Sequence, residues 1–116
     1  MGRKRKIPDL NPWETELFTG TDRRYIRLGN SLFLSKSFQA LTGQERNVYL
    51  CMIMECGGKR AFKFSFSSMK KYGISKMTGI RAVEGLEKAG FIKKTYCGRI
   101  QMNPNEYEFV SDWKRR

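Results

Sequence analysis

The side chains with the most distinctive chemistry lie between Ser75 and Arg81, at the start of a segment with helical periodicity. The guanidinium of an arginine can donate two hydrogen bonds to the edge of a guanine base, and a threonine offers both a hydroxyl and a methyl group. Arg81 is therefore the first candidate for a base contact, with Thr78 beside it, while Ser75 can bond a phosphate at the positive end of a helix. The further candidates in this stretch are Lys76 and Met77.

The residues around Ser75 have the pattern of a helix-turn-helix, in which a short support helix, a sharp turn and a second helix follow one another. Gly73 can adopt the positive φ that such a turn requires, and Ile74 can fill the angle between the two helices. Ser75 can cap the second helix and leave its first turn exposed. The pattern predicts that the second helix presents its N-terminal residues to a ligand.

A helical wheel divides the predicted second helix into two faces. The inward stripe is apolar and consists of Ile80, Val83 and Leu86. The outward face is small and basic, without a large apolar residue near its centre, and consists of Thr78, Arg81 and Gly85, with Met77 and Lys88 at its flank. Gly79 and Gly85 each cost about 1 kcal/mol relative to alanine inside a helix. Close approach to another helix, close approach to a phosphate strand and simple tolerance all remain open as explanations.

The distribution of charge points to a polyanionic ligand. The chain carries 23 Lys and Arg against 11 Asp and Glu, a formal charge of +12, and a field of that sign attracts nucleic acid. Residues 59–99 alone hold eleven basic residues against Glu84 and Glu87, a net charge of +9. The expected phosphate contacts are Lys70 and Lys71 on the support helix, Lys93, Lys94 and Arg99 in a following hairpin, and Arg3, Lys4, Arg5 and Lys6 in an N-terminal arm. Such contacts position a protein on DNA without identifying a sequence.

The chain divides into a basic N-terminal arm over residues 1–24, a domain over residues 25–113 and a basic C-terminal tail over residues 114–116. The arm has turn formers and no sustained periodicity, so we do not expect it to supply a core element. Trp13 and Trp113 lie near the two ends, and we expect both to pack against the domain rather than to contact a base.

Caps, stops and periodicity predict the elements of the domain. Thr42 and Glu45 form a capping-box pattern, and Phe62, Phe64 and Phe66 alternate on one face of a strand. The predicted order is a short strand and helix entry over 25–34, a short helix over 35–41, a core helix from 43 to about 55, a strand over 62–66, a helix capped by Ser67 that ends at 72–73, a helix from 75 to about 89, and two strands in a hairpin around a basic loop. This order predicts an α+β fold, a winged helix-turn-helix with three to four helices and a small antiparallel β-hairpin wing.

Several classes of function are disfavoured by what the sequence lacks. There is no histidine to serve as a general base, no paired-carboxylate motif and no phosphate-cradling glycine loop, so we expect neither an enzyme nor a cofactor. The three cysteines have no CxxC spacing, which predicts reduced thiols and no metal site. No apolar run approaches the length of a membrane span, and the basic N-terminus is not followed by an apolar stretch. We therefore expect a cytoplasmic protein without a membrane partner or a small-molecule substrate.

Four strings carry a resemblance to a known family: YIRLGNSLF, FQALTGQERNVYL, FSFSSMKKYGISKMTGIRAVEGLEKAGFI and NEYEFVSDWK. They span about three quarters of the chain, and the most specific piece is GIS-x-x-T followed by L-x-x-x-GFI. Together they resemble the winged-helix domains of plasmid and phage replication initiators, and also small helix-turn-helix proteins of bacterial mobile elements.

The resemblance implies binding to double-stranded DNA, with repeated origin sites as the target and a homodimer as the binding form, in a bacterial protein associated with the nucleoid or a plasmid. Two alternatives stay open. A bacterial transcription regulator can share the same DNA-binding fold, and a winged helix can also serve protein or RNA contacts. Larger initiators carry further domains, so the recruitment of other replication proteins is not part of this expectation.

Overall fold

The structure, a computed structural model, describes residues 10–17, 25–96 and 105–115. The described chain forms an α+β fold with five α-helices and a three-stranded antiparallel sheet. The helices are α1 (Asn30–Leu34), α2 (Lys36–Gln39), α3 (Gly43–Cys56), α4 (Phe66–Lys71) and α5 (Lys76–Lys88). The strands are β1 (Ala61–Lys63), β2 (Ile92–Tyr96) and β3 (Glu106–Phe109), and two 3-10 turns cover Pro12–Glu14 and Asp112–Arg115. The predicted α+β class is confirmed, with more helices than the expected three to four.

The central helix α3 begins and ends where its sequence signals lie. The backbone N–H of Glu45 donates to the Thr42 hydroxyl at 3.1 Å, and the backbone N–H of Thr42 donates to the Glu45 carboxylate at 2.8 Å. This reciprocal pair satisfies two donors that a helix start otherwise leaves without partners. The helix ends at Gly57, whose φ of 61° is left-handed. The predicted helix from 43 to about 55 is confirmed within one residue.

Of the short strand and helix entry predicted over 25–34, the helix entry is confirmed by α1 at 30–34, and the strand is wrong because residues 25–29 have no regular structure. The chain then turns at Ser35, whose hydroxyl donates to the Leu32 carbonyl at 2.7 Å and accepts from the Phe38 backbone N–H at 3.2 Å. This one side chain ends α1 and caps α2. It explains why the predicted helix over 35–41 is shorter, at Lys36–Gln39.

The sheet has the strand order β1-β3-β2, with both pairs antiparallel. The predicted hairpin of β2 and β3 is confirmed, and its loop over 97–104 lies outside the described residues. The predicted strand over 62–66 is too long. β1 ends at Lys63, Ser65 rather than Ser67 caps α4, and Phe66 is 53% exposed in the first turn of that helix. The Ser65 hydroxyl accepts a hydrogen bond from the Ser68 backbone N–H at 3.1 Å. Phe66 therefore follows the 3.6-residue period of a helix and no longer the two-residue alternation of a strand.

The core lies between α2, α3, α5 and the inner face of the sheet. Its most deeply buried side chains are Phe38, Phe91, Met52, Leu86, Ile92 and Val48. Trp113 stacks on Phe91 with ring centroids 5.4 Å apart, as its predicted packing requires. The same prediction is wrong for Trp13, which is 81% exposed. Its 3-10 turn closes locally, since Glu14 accepts hydrogen bonds from Asn11, and among the described residues Trp13 is not packed against the core.

None of the helices among the described residues has the length and apolar content that a membrane span requires.

Burial raises the pKa of Tyr49 to about 12, with a smaller contribution from Cys56, and it also raises the pKa of the Cys51 thiol. Both groups on α3 therefore stay protonated and uncharged at neutral pH.

Candidate functional site

The turn between α4 and α5 has the geometry that its sequence predicts. Gly73 has φ of +73°, a left-handed value that a residue with a side chain rarely adopts. The backbone N–H of Gly73 donates to the Lys70 carbonyl at 3.0 Å, and that of Ile74 donates to the Met69 carbonyl at 2.9 Å. Ile74 is 7% exposed and fills the space between the helices. These contacts fix the direction in which α5 leaves α4.

The first turn of α5 is capped by a side chain that has its own partner. The Thr78 backbone N–H donates to the Ser75 hydroxyl at 3.4 Å, and that hydroxyl donates its proton to the Thr78 hydroxyl oxygen at 2.9 Å. Thr78 is half-buried, while Ser75 is exposed. A phosphate bond from Ser75 would therefore replace its bond to Thr78, and Thr78 presents less of its side chain than the helical wheel predicted.

The buried face of α5 is rotated from the predicted stripe. Its buried residues are Gly79, Ala82, Val83 and Leu86. Ile80, predicted to belong to the inward stripe, is only half-buried, whereas Val83 and Leu86 are buried as predicted. The reason is that α5 packs against α4 on one side and against α3 on the other, with β2 also in contact. A wheel drawn from apolar residues alone does not account for glycine and alanine at a close helix contact.

The two helical glycines mark these close contacts. A Cβ on Gly79 would lie 3.0 Å from the methyl carbon of Met69 on α4 and would meet its sulfur at a still shorter distance. A Cβ on Gly85 would overlap the carboxylate of Glu45 on α3. Gly85 therefore faces α3 and does not belong to the outward face, which corrects its predicted position. Approach to a neighbouring helix, one of the explanations left open, accounts for Gly79, since Met69 is buried, whereas the space beside Gly85 is filled by the end of the flexible Glu45 side chain.

The outward face of α5 is formed by Met77, Arg81, Glu84 and Lys88, which recur at helical spacing and are all exposed. Met77 lies at the N-terminal end of this face, on its midline because it falls between Arg81 and Glu84 around the helix axis, and it is 61% exposed. The prediction that this face lacks a large apolar residue near its centre is therefore wrong. Among its predicted members Arg81 keeps its place, Thr78 moves to the edge and Gly85 leaves it.

Arg81 and Glu84 give this face its hydrogen-bonding capacity. Within the part of the chain that the structure describes, neither side chain has an ion-pair or hydrogen-bond partner. A guanidinium offers donors only and a carboxylate offers acceptors only, so the two groups can bond complementary edges of one ligand. The sequence reasoning missed Glu84, although its position three residues after Arg81 places both side chains on the same face of a helix.

The support helix α4 carries two lysines in different situations. Lys71 Nζ lies 3.3 Å from the Glu55 carboxylate of α3, which also accepts the Tyr72 hydroxyl at 2.8 Å. Lys70 is exposed and has no such partner among the described residues. The predicted pair of phosphate contacts is therefore unequal, since only Lys70 offers a side chain that no carboxylate already holds.

Lys76, at the start of α5, also has a partner inside the protein. Its Nζ lies 4.5 Å from the centroid of the Phe66 ring, within the range of a cation–π contact. Phe66 thus belongs to the surface around the first turn of α5, which the strand prediction had excluded. The contact keeps the ammonium at the junction of α4 and α5.

The two lysines of β2 lie on opposite faces of the sheet, because side chains alternate along a strand. Lys93 is opposite Glu108, whose carboxylate lies 3.8 Å from the Arg60 guanidinium. Lys94 is opposite the buried Tyr107, on the face of the sheet that covers the core, yet it remains exposed. One flat ligand surface cannot meet both lysines equally.

The remaining predicted contacts, Arg99 and the arm residues Arg3, Lys4, Arg5 and Lys6, lie outside the described residues.

Other kinds of site find little support in the described residues. They contain no group of three or more His, Cys, Asp or Glu side chains that could hold a metal ion. A depression of about 410 Å³ beside α3 opens widely to solvent and has three cations, Arg27, Lys59 and Arg60, among its lining residues. The outward face of α5 therefore remains the strongest candidate.

No match to the chain is found among protein-family models, among curated proteins or among solved structures. The inference of function accordingly depends on the residues of α4, α5 and the sheet.

Proposed function

We propose that the protein binds double-stranded DNA through a winged helix-turn-helix, with α4 as the support helix, α5 in the major groove and the β2–β3 hairpin as the wing. The observation that carries this proposal is the outward face of α5. It follows a tight turn at Gly73, it is exposed from its first turn, and its Arg81 has no partner among the described residues. A helix presented in this way has the shape that the major groove admits.

The charge around α5 supports a polyanion as the ligand. Every Lys and Arg between Phe66 and Tyr96 is exposed, against only two acidic residues, Glu84 and Glu87. The basic residues are Lys70, Lys71, Lys76, Arg81, Lys88, Lys93 and Lys94. They lie on α5 itself and on the elements before and after it, α4 and β2, where phosphate contacts can flank a helix in a groove.

The side chains divide into those that read bases and those that hold phosphates. Arg81 is exposed in the second turn of α5, on the face that would meet base edges, and its guanidinium can bond the O6 and N7 atoms of guanine. Lys70 and Lys94 are exposed on the flanking elements and suit phosphate oxygens. Sequence preference then depends mainly on α5, and the flanking lysines contribute affinity for any duplex.

The first test compares Arg81→Ala with Lys94→Ala in duplex-binding titrations over a range of salt concentrations. We expect Arg81→Ala to weaken binding to the preferred duplex by about 1–3 kcal/mol while changing binding to unrelated duplexes much less. We expect Lys94→Ala to weaken binding to all duplexes similarly and to reduce the slope of log K against log salt by about one.

The control ligands are random duplex DNA, double-stranded RNA and heparin at the same salt concentration. Equal affinity for these and for every selected duplex would rule out sequence reading and leave a protein with an unspecific basic surface. Preferential binding to RNA would instead favour the alternative of a winged helix used for RNA contacts.

For the biological role, we propose replication initiation in a plasmid, phage or mobile element, on the strength of the resemblance of the GIS-x-x-T and L-x-x-x-GFI strings. A bacterial transcription regulator is the alternative. Selection of bound fragments from the host and plasmid genomes separates them, because an initiator should recover repeated sites near a replication gene. Recovery of a single site beside a promoter would contradict the initiator role and favour the regulator.

A further inference from the structure

Met77 is an apolar side chain at the N-terminal end of an otherwise charged helix face. It is 61% exposed, and its neighbours on the outward face of α5 are Arg81, Glu84 and Lys88. Single exposed apolar residues are common on proteins and need no explanation by themselves. Met77 differs in its position, because it is the second residue of α5 and lies in the turn that reaches deepest into a groove.

The neighbours of Met77 leave its side chain uncovered. Lys76, the adjacent residue, directs its ammonium toward the Phe66 ring at 4.5 Å and so toward α4. On the other side, the Thr78 hydroxyl accepts a hydrogen bond from Ser75 at 2.9 Å, and Thr78 itself is half-buried. Of the residues in the first turn of α5, Met77 therefore offers the apolar group best placed to meet a ligand.

We propose that Met77 reads the 5-methyl group of a thymine in the major groove, within one or two base-pair steps of the base that Arg81 contacts. The inference deepens the proposed function and depends on it. Among the four bases only thymine presents a methyl group in the major groove, and an apolar side chain recognises it by contact. The flexible and polarizable thioether of methionine adapts its shape to such a group.

The spacing along α5 sets the expected distance between the two contacts. Arg81 follows Met77 by four residues, so both lie on one face of the helix, about 6 Å apart along its axis at about 1.5 Å per residue. Successive bases along a DNA strand lie about 3.4 Å apart. The two side chains can therefore reach base pairs that are adjacent or separated by one further step. The preferred duplex should hold a thymine at that distance from a guanine.

The test uses duplexes that the full chain selects from a randomised library. Each thymine of a selected duplex is replaced singly by deoxyuridine, which removes the methyl group and keeps the base pairing. We expect one replacement, close to the guanine that Arg81 reads, to weaken binding about fourfold, the factor that corresponds to the burial of one methyl group. With Met77→Ala, the duplexes with thymine and with deoxyuridine at this position should bind equally.

Leu34→Ala provides the matched control. Leu34 is 64% exposed, about as much as Met77, and it lies on α1, which packs against α2 rather than α5. We expect Leu34→Ala to keep the full sensitivity to deoxyuridine. A loss of sensitivity in this variant would overturn the assignment to Met77.

The inference fails while the proposed function stands if Arg81 is required for selective binding but no deoxyuridine replacement changes the affinity. It also fails if the sensitivity persists in Met77→Ala, since another group would then read the methyl. The absence of any selective duplex binding would overturn the proposed function and the inference together.

Discussion

α3 and α5 are helices of 14 and 13 residues that pack against each other, and each begins at a hydroxyl cap, Thr42 or Ser75. They differ in what their charged side chains do. All three charged residues of α3 have partners inside the protein. Glu45 accepts from the Thr42 backbone, Arg46 donates to the carbonyls of Phe38 and Gln39, and Glu55 accepts from Lys71 and Tyr72.

On α5, by contrast, Arg81 and Glu84 have no ion-pair or hydrogen-bond partner among the described residues. A charged group that is already bonded must give up that bond before it can serve a ligand, whereas an exposed group without a partner gives up only water. Two helices with similar caps and similar lengths can therefore have different roles. The partners of their charged side chains separate a scaffold helix from one that can meet a ligand.

The largest effect on stability is expected from a substitution in the buried face of α3. Met52 of α3 has 0% exposure and Met77 of α5 has 61%, so the same substitution to alanine samples a core and a surface. Met52→Ala should lower the free energy of unfolding by about 2–5 kcal/mol because it leaves a cavity. Met77→Ala should change it by no more than about 0.5 kcal/mol. Chemical denaturation measures both, and similar losses in the two variants would show that Met77 is packed.

Local signals in the sequence predicted the starts, stops and turn of these helices. The capping pairs at Thr42 and Ser75 act within one turn, and Gly57, Gly73 and Gly90 adopt positive φ values that do not depend on distant residues. Features of this kind are readable because the residue and its partner lie close together in the chain. The order of helices and the β2–β3 hairpin follow from them.

The rotation of α5 was not readable, because it depends on which helices pack against it. Gly79 meets Met69 on the preceding helix α4, ten residues away, and Gly85 meets Glu45 on α3, forty residues away. Because of these contacts, Met77 lies on the midline of the outward face and Thr78 lies at its edge. The position of Phe66 was missed for a local reason: strict alternation of phenylalanines predicted a strand, but the Ser65 cap begins a helix first.

An intermediate effect is expected from the two caps. Thr42→Ala removes one side of a reciprocal pair with bonds of 2.8 and 3.1 Å and should cost about 1 kcal/mol of stability. Ser75→Ala removes a longer bond of 3.4 Å from the Thr78 N–H and should cost less. Duplex affinity should change in the opposite order, since only Ser75 lies on the proposed interface. Equal changes of affinity in the two variants would contradict the separation of α3 from α5.

The smallest effect is expected where α3 meets the support helix. Glu55 holds Lys71 at 3.3 Å, in a pair whose side chains are 23% and 58% exposed, and such pairs contribute only about 0–1 kcal/mol. Glu55→Gln keeps an oxygen that can accept from the Tyr72 hydroxyl, so the free energy of unfolding should fall by less than about 0.5 kcal/mol. The substitution also removes a negative charge and releases Lys71.

If α5 and its surroundings bind DNA, the released Lys71 gains a phosphate contact. Duplex affinity should then rise, and the slope of log K against log salt should steepen by about one in Glu55→Gln. The control is Glu55→Gln combined with Lys71→Ala, in which the steepening should disappear. Steepening that survives without Lys71 would mean that the carboxylate acts by repelling the duplex directly. Unchanged binding in Glu55→Gln would place the edge of the interface short of Lys71, between the partnered charges of α3 and the exposed Arg81 and Glu84 of α5.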